Sequence, residues 1–219
     1  MTARRRLQAV VFDVGETLVD ETRHWGAWAD WLGVPRLTFF AALGGVIERG
    51  LHHRQVFQLV RPGLDLDAEV RRRAEAGWTY GFEPTDFYPD ALPCLAALKA
   101  QGFRVGIAGN QPEAAEMALA AAGAPADFIA SSASWGVEKP DPAFFAKVAD
   151  VAGVPPSGIA YVGDRLDNDV RPARQAGMLA VFLRRGPWGV LAANAVTDAD
   201  ADLKLDALDG LAEKLAAWR

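Results

Sequence analysis

Three aspartates and one lysine stand where they could carry out hydrolytic chemistry. Asp13 ends the apolar run "AVVF", Asp164 follows "YVG", Asp169 comes five residues later, and Lys139 lies in "GVEKPDPAFF". An Asp carboxylate can attack phosphorus and split hydrolysis into two steps through an aspartyl phosphate. Carboxylates also bind Mg²⁺, and an ammonium group neutralises phosphoryl oxygens. These residue types therefore favour attack on a phosphoryl group beside a bound Mg²⁺.

Each of these residues also has an ordinary structural interpretation. Asp13 could end a strand or begin a turn. Asp169, in "DND" before "VRPARQAG", is also placed to act as a helix N-cap. A lysine in a loop, such as Lys139, is usually exposed to solvent.

The elements that must position these residues form an α/β pattern. Short apolar runs alternate with helical patterns from about residue 88 onward, and the runs show no polar alternation. Strands of this kind are buried on both faces, which predicts a parallel sheet covered by helices. The predicted strands are "AVVFDV", "FRVGIAGN", "ADFIASSA", "GIAYVGD" and "MLAVFLRRG". Ligands bind outside the carboxyl ends of such strands, where Asp13, Asn110 and Asp164 lie, with Lys139 in the loop after "FIASSA".

A helical segment interrupts this alternation. Residues 18 to about 87 contain no convincing strand and several helical stretches, including "ETRHWGAWADWLG" and "LDAEVRRRAEAGW". We therefore predict a core domain of residues 1–17 and 88–219, carrying a small α-helical cap of residues 18–87 inserted after the first strand.

Four segments, "VVFDVGETL", "VGIAGN", "GVEKPDPAFF" and "YVGDRLDNDV", follow one another along the chain. In wording and order they are similar to the four motifs of the haloacid dehalogenase-like hydrolase superfamily, which the chain therefore resembles. Most members of that superfamily are Mg²⁺-dependent phosphatases with an aspartate nucleophile. The resemblance covers nearly the whole length and implies a Rossmann-like three-layer core. It further implies that residues 18–87 occupy the position of that family's helical cap.

The resemblance also implies roles for individual residues. Asp13 would be the nucleophile, and it would bind Mg²⁺ together with Asp164 and the backbone carbonyl of Gly15. Asp169 would support the metal from further away or bind it through water. Lys139 would neutralise the phosphoryl group and keep Asp13 ionised.

The phosphate-binding groups implied by the resemblance follow the second predicted strand. Lys139, Asn110 and neighbouring N–H groups would bind the phosphoryl oxygens. Gly109 stands where the family usually has Ser or Thr, so a hydroxyl donor is lost and the backbone N–H is kept.

The first motif departs from the family pattern as well. Gly15 replaces the second Asp, which in phosphatases of this family protonates the leaving group and then activates water. Losing a general acid–base group typically costs ~10²–10⁴ in rate. Glu16 is the nearest candidate replacement, with Asp20 or a cap residue as further ones. Glu16 could equally be a solvated turn acid.

Aromatic residues of the cap could contact a substrate. Trp25, Trp28 and Trp31 recur at helical spacing, and His24 lies beside them. Such a stripe can line a substrate site, but it also forms the core of a helical unit. His24, Trp25 and Trp28 are therefore candidates for substrate contact.

Three functions remain open from the sequence. The first is a Mg²⁺-dependent phosphatase of a small phosphorylated metabolite, with an atypical acid–base group. The second is another Asp-nucleophile reaction such as dehalogenation, although dehalogenases usually lack the acid at the Asp164 position. The third is a degenerate protein that binds a phosphorylated ligand or a protein partner without turnover. The predicted cap has no lysine, which counts against a phosphonatase-like Schiff base.

The composition limits the classes of partner and the cellular compartment that we expect. A formal net charge of −5 over 219 residues gives no general attraction to nucleic acid or anionic membrane. The basic spots Arg4 to Arg6, Arg71 to Arg73 and Arg184-Arg185 are expected to be solvated, although a basic spot beside an active site could also attract anionic substrates. Cys94 is the single cysteine, which excludes an intrachain disulfide and indicates a reducing compartment. We expect a cytoplasmic monomer or homodimer.

Overall fold

A computed structural model describes residues 6–78 and 80–218, so Arg4 and Arg5 of the first basic spot lie outside it. Within these residues six parallel strands form one sheet, in the order β3-β2-β1-β4-β5-β6. The strands are β1 (Ala9–Phe12), β2 (Arg104–Gly109), β3 (Phe128–Ser131), β4 (Ile159–Gly163), β5 (Leu179–Leu183) and β6 (Leu203–Leu205). The parallel α/β fold predicted from the sequence is confirmed.

Helices connect and cover these strands. They are α1 (Thr22–Leu32), α2 (Arg36–Glu48), α3 (Gln55–Val60), α4 (Leu66–Glu75), α5 (Ala91–Ala100), α6 (Ala114–Ala121), α7 (Ser132–Trp135), α8 (Pro142–Ala152), α9 (Arg171–Gln175), α10 (Gly186–Ala192) and α11 (Leu211–Ala216). Four short 3₁₀ or π turns lie among the described residues, at Pro84–Asp86, Pro156–Gly158, Leu166–Val170 and Ala193–Ala195.

The sheet is buried on both faces, and the alternating directions of the β1 side chains show why. Val10 and Phe12 belong to the core beneath α5 and α11, whereas Ala9 and Val11 belong to the core beneath α8. Side chains of successive strand residues point to opposite faces, so an uninterrupted apolar run fills both cores. The result is the three-layer arrangement expected from the sequence.

Two strands differ from their predictions. The run "ADFIASSA" is a strand only as far as Ser131, because Ser131 caps α7 by accepting a hydrogen bond from the Ser134 N–H at 3.1 Å. The edge strand β6 was not predicted. Its residues, "LKL", include an exposed Lys204 and form too short an apolar pattern to indicate a strand.

The chain divides into two compact units, Met1–Asp20 with Phe82–Arg219, and Glu21–Gly81. The boundaries therefore fall after residue 20 and before residue 82, rather than at the predicted 17 and 88. Hydrogen bonding explains the difference. Val19 pairs with both Gly15 and Phe87 in isolated bridges, so residues 19 and 87 belong to the larger unit.

The smaller unit is helical and contains α1 to α4. Trp28 packs edge-on against Phe57 with ring centroids 4.9 Å apart, and Phe39 contacts the same ring at 5.8 Å. These aromatic side chains are nearly fully buried, and aromatic burial is a large apolar contribution for a unit of this size. Among the described residues, no helix is both long and apolar enough to cross a membrane.

Candidate active site

The site forms where the strand order reverses, at the carboxyl ends of the neighbouring strands β1 and β4. The chain passes from β1 to β2 on one side of β1 and later reaches β4 on the other side of β1. A crevice opens between such oppositely directed connections, at the carboxyl ends of the strands. The Asp13 N–H donates to the Val162 carbonyl at 2.9 Å, so β4 holds the first residue after β1. Asp13 and Asp164 therefore follow two neighbouring strands.

Lys139 lies at the centre of the acidic groups. Its ammonium donates to Asp13 Oδ1 and to Asp169 Oδ1, each at 2.5 Å, and the residue is only 3% exposed. A buried ammonium that is charge-paired with two carboxylates is fixed in position. Lys139 is therefore not the solvated loop residue that its local sequence also allowed.

Asp169 lies in the π-helical turn Leu166–Val170, directly before α9. Its Oδ1 accepts from Lys139 and its Oδ2 accepts from the Arg165 N–H at 3.0 Å. The N-cap residue of α9 is Val170, so the interpretation of Asp169 as a simple helix cap is wrong. Gly163 makes room for this carboxylate, because a Cβ at Gly163 would lie 2.5 Å from the Asp169 Cβ.

Asp164 is the carboxylate with an unused oxygen. Thr17 Oγ1 donates to Asp164 Oδ1 at 3.5 Å, whereas Asp164 Oδ2 is buried and has no hydrogen-bond partner. A buried polar atom without a partner costs free energy unless a ligand satisfies it. Asp164 thus retains a free binding position in the site.

The electrostatics of the site indicate an excess of negative charge. Burial, together with repulsion from Asp169 and Asp13, raises the pKa of Asp164 well above its ordinary value. Burial also raises the pKa of Asp169 to about 6, although Lys139 opposes the shift. Burial lowers the pKa of Lys139, but attraction to Asp13 and Asp169 outweighs it and holds the pKa well above the usual value.

These features fit a hard divalent cation. Asp13, Asp164 and Asp169 each offer a carboxylate oxygen, and the three atoms lie within 4.8 Å of one another. Mg²⁺ prefers oxygen ligands and commonly uses one or two protein carboxylates. A cation would also relieve the repulsion that raises the pKa values of Asp164 and Asp169, and it would satisfy Asp164 Oδ2.

The structure changes the interpretation of Asn110. Its Nδ2 donates to the Lys139 carbonyl at 2.9 Å, and its Oδ1 accepts from the Lys139 N–H at 2.7 Å. Sequence reasoning assigned this amide to the phosphate. Its acceptor and one of its donors are instead used to hold the backbone of Lys139.

Gly109 lies directly beside Asp13. A Cβ at this position would stand 2.5 Å from Asp13 Oδ1, closer than real Cβ contacts allow. The glycine therefore does more than omit a hydroxyl group. It leaves the space that the carboxylate occupies in its pairing with Lys139.

Glu16 is not a solvated turn acid. The residue is 5% exposed, and its Oε2 accepts from the Tyr88 hydroxyl at 2.6 Å. Gly15, which lacks a side chain, lies in the same turn and pairs with Val19 in an isolated bridge. Sequence reasoning missed Tyr88, and it missed Thr17 and Arg185, whose guanidinium donates to the Thr17 carbonyl at 3.0 Å.

The cap candidates differ in accessibility. Trp25 and Trp28 are each 7% exposed, and both rings contact Phe57 inside the helical unit. Trp25 Nε1 also donates to Glu21 Oε2 at 3.0 Å. These two residues lie in the core of the helical unit, whereas His24 is only partly buried and lies edge-on to Trp25 and Tyr80.

Comparison with known proteins identifies the family. Residues 7–177 match the profile of the haloacid dehalogenase-like hydrolases. The chain belongs to this family. A glyceraldehyde 3-phosphate phosphatase of Methanopyrus kandleri is 36% identical over 155 residues, which are 65% of this chain and 64% of that protein. The chain thus spans less than two thirds of this curated relative.

Solved structures of the haloacid dehalogenase-like family share the fold. A phosphatase from Thermococcus onnurineus superposes with a TM-score of 0.62 at 24% identity, covering 95% of this chain and 98% of that one. An L-2-haloacid dehalogenase from Xanthobacter autotrophicus gives a TM-score of 0.65 at 21% identity, covering 96% and 98%. Since phosphatases and dehalogenases share this fold, only the site can distinguish the reactions.

Proposed function

We propose that this protein is a Mg²⁺-dependent phosphatase that hydrolyses a small phosphorylated metabolite through an aspartyl phosphate on Asp13. The observation that carries the proposal is the buried cluster of Asp13, Asp164 and Asp169, in which Lys139 pairs with Asp13 and Asp169 and Asp164 Oδ2 lacks a partner. The name of the Methanopyrus kandleri relative supports a small phosphate monoester as the substrate class.

In the first step the Asp13 carboxylate attacks phosphorus, and the bond between phosphorus and the leaving oxygen breaks. Lys139 holds the Asp13 carboxylate through its hydrogen bond and attracts the phosphoryl oxygens. Asp13, Asp164 and the Gly15 carbonyl would hold Mg²⁺, with Asp169 acting through water because both its oxygens accept hydrogen bonds from the protein. When bound, Mg²⁺ supplies positive charge that offsets the repulsion between carboxylate and phosphate.

In the second step water attacks the phosphorus of the aspartyl phosphate. The bond between phosphorus and the Asp13 oxygen breaks, inorganic phosphate leaves, and the carboxylate is restored. An alkoxide leaving group needs a proton in the first step, and the attacking water must lose one in the second step. Gly15 offers no group for this, and the Glu16 carboxylate is buried against Tyr88.

The missing acid predicts the substrate preference. A leaving group of low pKa departs without a proton, whereas an alkoxide needs one. We therefore propose that aryl or acyl phosphates are turned over much faster than alkyl phosphates unless the substrate supplies its own proton.

The test compares p-nitrophenyl phosphate with glycerol 3-phosphate, in MgCl₂ or EDTA, for wild type, Asp13→Asn and Gly15→Asp. Asp167→Asn is the matched control, because Asp167 is an exposed neighbour of Asp169. The expected result is Mg²⁺-dependent turnover of the aryl ester that Asp13→Asn abolishes and Asp167→Asn preserves. An increase in glycerol 3-phosphate turnover by Gly15→Asp identifies proton transfer as the deficit.

Dehalogenation is a second candidate, because Gly15 lacks the acid that marks phosphatases and the fold is shared with a dehalogenase. Its test is halide release from 2-chloropropionate in EDTA. Halide release without phosphate release would replace the phosphatase proposal. Tight phosphate binding with no turnover of any substrate would instead favour a binding protein.

A further inference from the structure

Glu16 has an unusual backbone for its residue type. Its φ is 55°, and it is the one non-glycine residue with positive φ among residues 6–78 and 80–218. The left-handed region is sterically unfavourable for a side chain with a Cβ, so surrounding contacts must maintain it. Glu16 directly follows Gly15 and precedes Thr17, which contacts Asp164.

The side chain of Glu16 occupies a fitted position. It is buried, and Tyr88 donates its hydroxyl to Oε2 at 2.6 Å. Gly186 lies against the same side chain, and an added Cβ there would stand 2.5 Å from the Glu16 Cβ. The space next to Glu16 therefore exists because residue 186 is a glycine.

Tyr88 connects this carboxylate to Arg185. The Arg185 guanidinium lies over the Tyr88 ring at 4.1 Å and also forms an ion pair with Asp90. Asp90 in turn accepts from the Leu208 N–H at 2.8 Å. Both side chains of the ion pair are 10% exposed, so Arg185 is largely buried and anchored, and the expectation of a solvated basic spot is wrong for it.

Arg185 also contacts the turn that follows Asp13. Its second nitrogen donates to the Thr17 carbonyl at 3.0 Å, and Thr17 Oγ1 reaches Asp164 Oδ1. The backbone adds a parallel attachment, because the Tyr88 N–H donates to the Leu18 carbonyl at 3.0 Å. The contacts of Glu16 and of Arg185 thus both hold the turn at residues 16–18, which follows Asp13 and reaches Asp164 through Thr17.

We infer that Glu16 is a positioning residue which, with Tyr88 and Arg185, holds Thr17 so that Asp164 keeps one oxygen free for the divalent cation. This inference deepens the proposed function and rests on its Mg²⁺ site. It assigns Glu16 a role different from proton transfer. The residue acts through its contacts with Tyr88 and Gly186.

The test measures Mg²⁺ affinity by calorimetry without substrate, beside thermal unfolding. Tyr88→Phe removes one hydroxyl and keeps the ring under Arg185, and Arg185→Lys removes the fork that links Asp90 to Thr17. Glu16→Gly removes the side chain while relaxing the backbone. Arg184→Lys is the control, since Arg184 pairs with Asp206 on the surface.

We expect Tyr88→Phe, Arg185→Lys and Glu16→Gly each to remain folded and to weaken Mg²⁺ binding about tenfold, as the loss of a group that orients a metal ligand does. Arg184→Lys should bind Mg²⁺ like wild type. Wild-type Mg²⁺ affinity in folded Tyr88→Phe and Glu16→Gly overturns the inference and leaves the proposed function intact. A wild-type protein that binds no Mg²⁺ overturns both.

Discussion

Asn110 and Lys139 hold each other through reciprocal hydrogen bonds between an amide side chain and a backbone. The amide donates to the Lys139 carbonyl at 2.9 Å and accepts from the Lys139 N–H at 2.7 Å. The end of β2 thereby fixes the loop that carries the ammonium group. The same ammonium pairs with Asp13 and Asp169, so its position determines the charge balance of the whole site.

Asn110→Ala should reduce turnover without unfolding the protein. Both hydrogen bonds to the Lys139 backbone are lost, and a small displacement of a positioned group can cost about 10²-fold in rate. Steady-state kinetics with p-nitrophenyl phosphate measure the effect, and exposed Asn194→Ala is the control. Unchanged kcat in Asn110→Ala would show that Lys139 is positioned by its ion pairs alone.

Lys139→Met should separate turnover from metal binding. The variant removes the charge that neutralises the substrate, which we expect to cost at least about 10²-fold in kcat. Mg²⁺ should bind as tightly as in wild type or more tightly, because a competing positive charge has gone. Calorimetry and kinetics are compared with exposed Lys147→Met. Weaker Mg²⁺ binding in Lys139→Met would contradict this account.

Stabilisation by Mg²⁺ should grow with pH. Asp169 has a pKa of about 6 in the fold, and the pKa of Asp164 is also raised. A group with a raised folded pKa binds more protons in the native state, so its contribution to stability falls as pH rises through that pKa. Mg²⁺ requires deprotonated ligands and offsets this loss.

We therefore expect a small Mg²⁺-induced rise in Tm at pH 5 and a larger one at pH 7, measured by thermal unfolding. Asp164→Asn should weaken the response at every pH, whereas the exposed Asp167→Asn should retain it. A Mg²⁺ effect that is largest at pH 5 would be inconsistent with these carboxylates as ligands.

Gly109→Ala should impair the enzyme although it adds only a methyl group. The new Cβ would stand 2.5 Å from Asp13 Oδ1 and must displace it from Lys139. We expect at least about a tenfold loss of kcat, because the nucleophile leaves its reactive geometry. The control is Gly44→Ala in α2, where an added Cβ meets nothing within 4 Å. Full activity of Gly109→Ala would show that Asp13 tolerates the shift.

His24 should make the protein sensitive to acid. Burial, with repulsion from Arg73 and Arg23, lowers its pKa to about 4. Between pH 6.5 and 4 the unfolded chain binds this proton and the native state does not, so the free energy of unfolding falls as pH falls. Urea denaturation should show a smaller loss over this range for His24→Gln than for wild type. Exposed His52→Gln should match wild type.

The local sequence was sufficient to predict the site residues that directly follow strands. The apolar runs before Asp13 and Asp164 are long enough to indicate buried parallel strands, and the carboxyl ends of such strands meet at one edge. The strand β6 was missed because three residues with a central lysine carry no clear apolar pattern.

The sequence by itself determined the parallel fold and the family, and it indicated that Asp13, Lys139 and Asp164 lie in one site. Apolar periodicity and motif order are properties of residues that are close in sequence. Only the tertiary structure decided what those side chains face. Glu16 meets Tyr88 across 72 positions, and Arg185 meets Thr17 across 168. Contacts between such distant segments depend on how helices and strands pack, and no local pattern records them. Packing therefore decided that Glu16 is a buried anchor, and that Asn110 holds a lysine backbone.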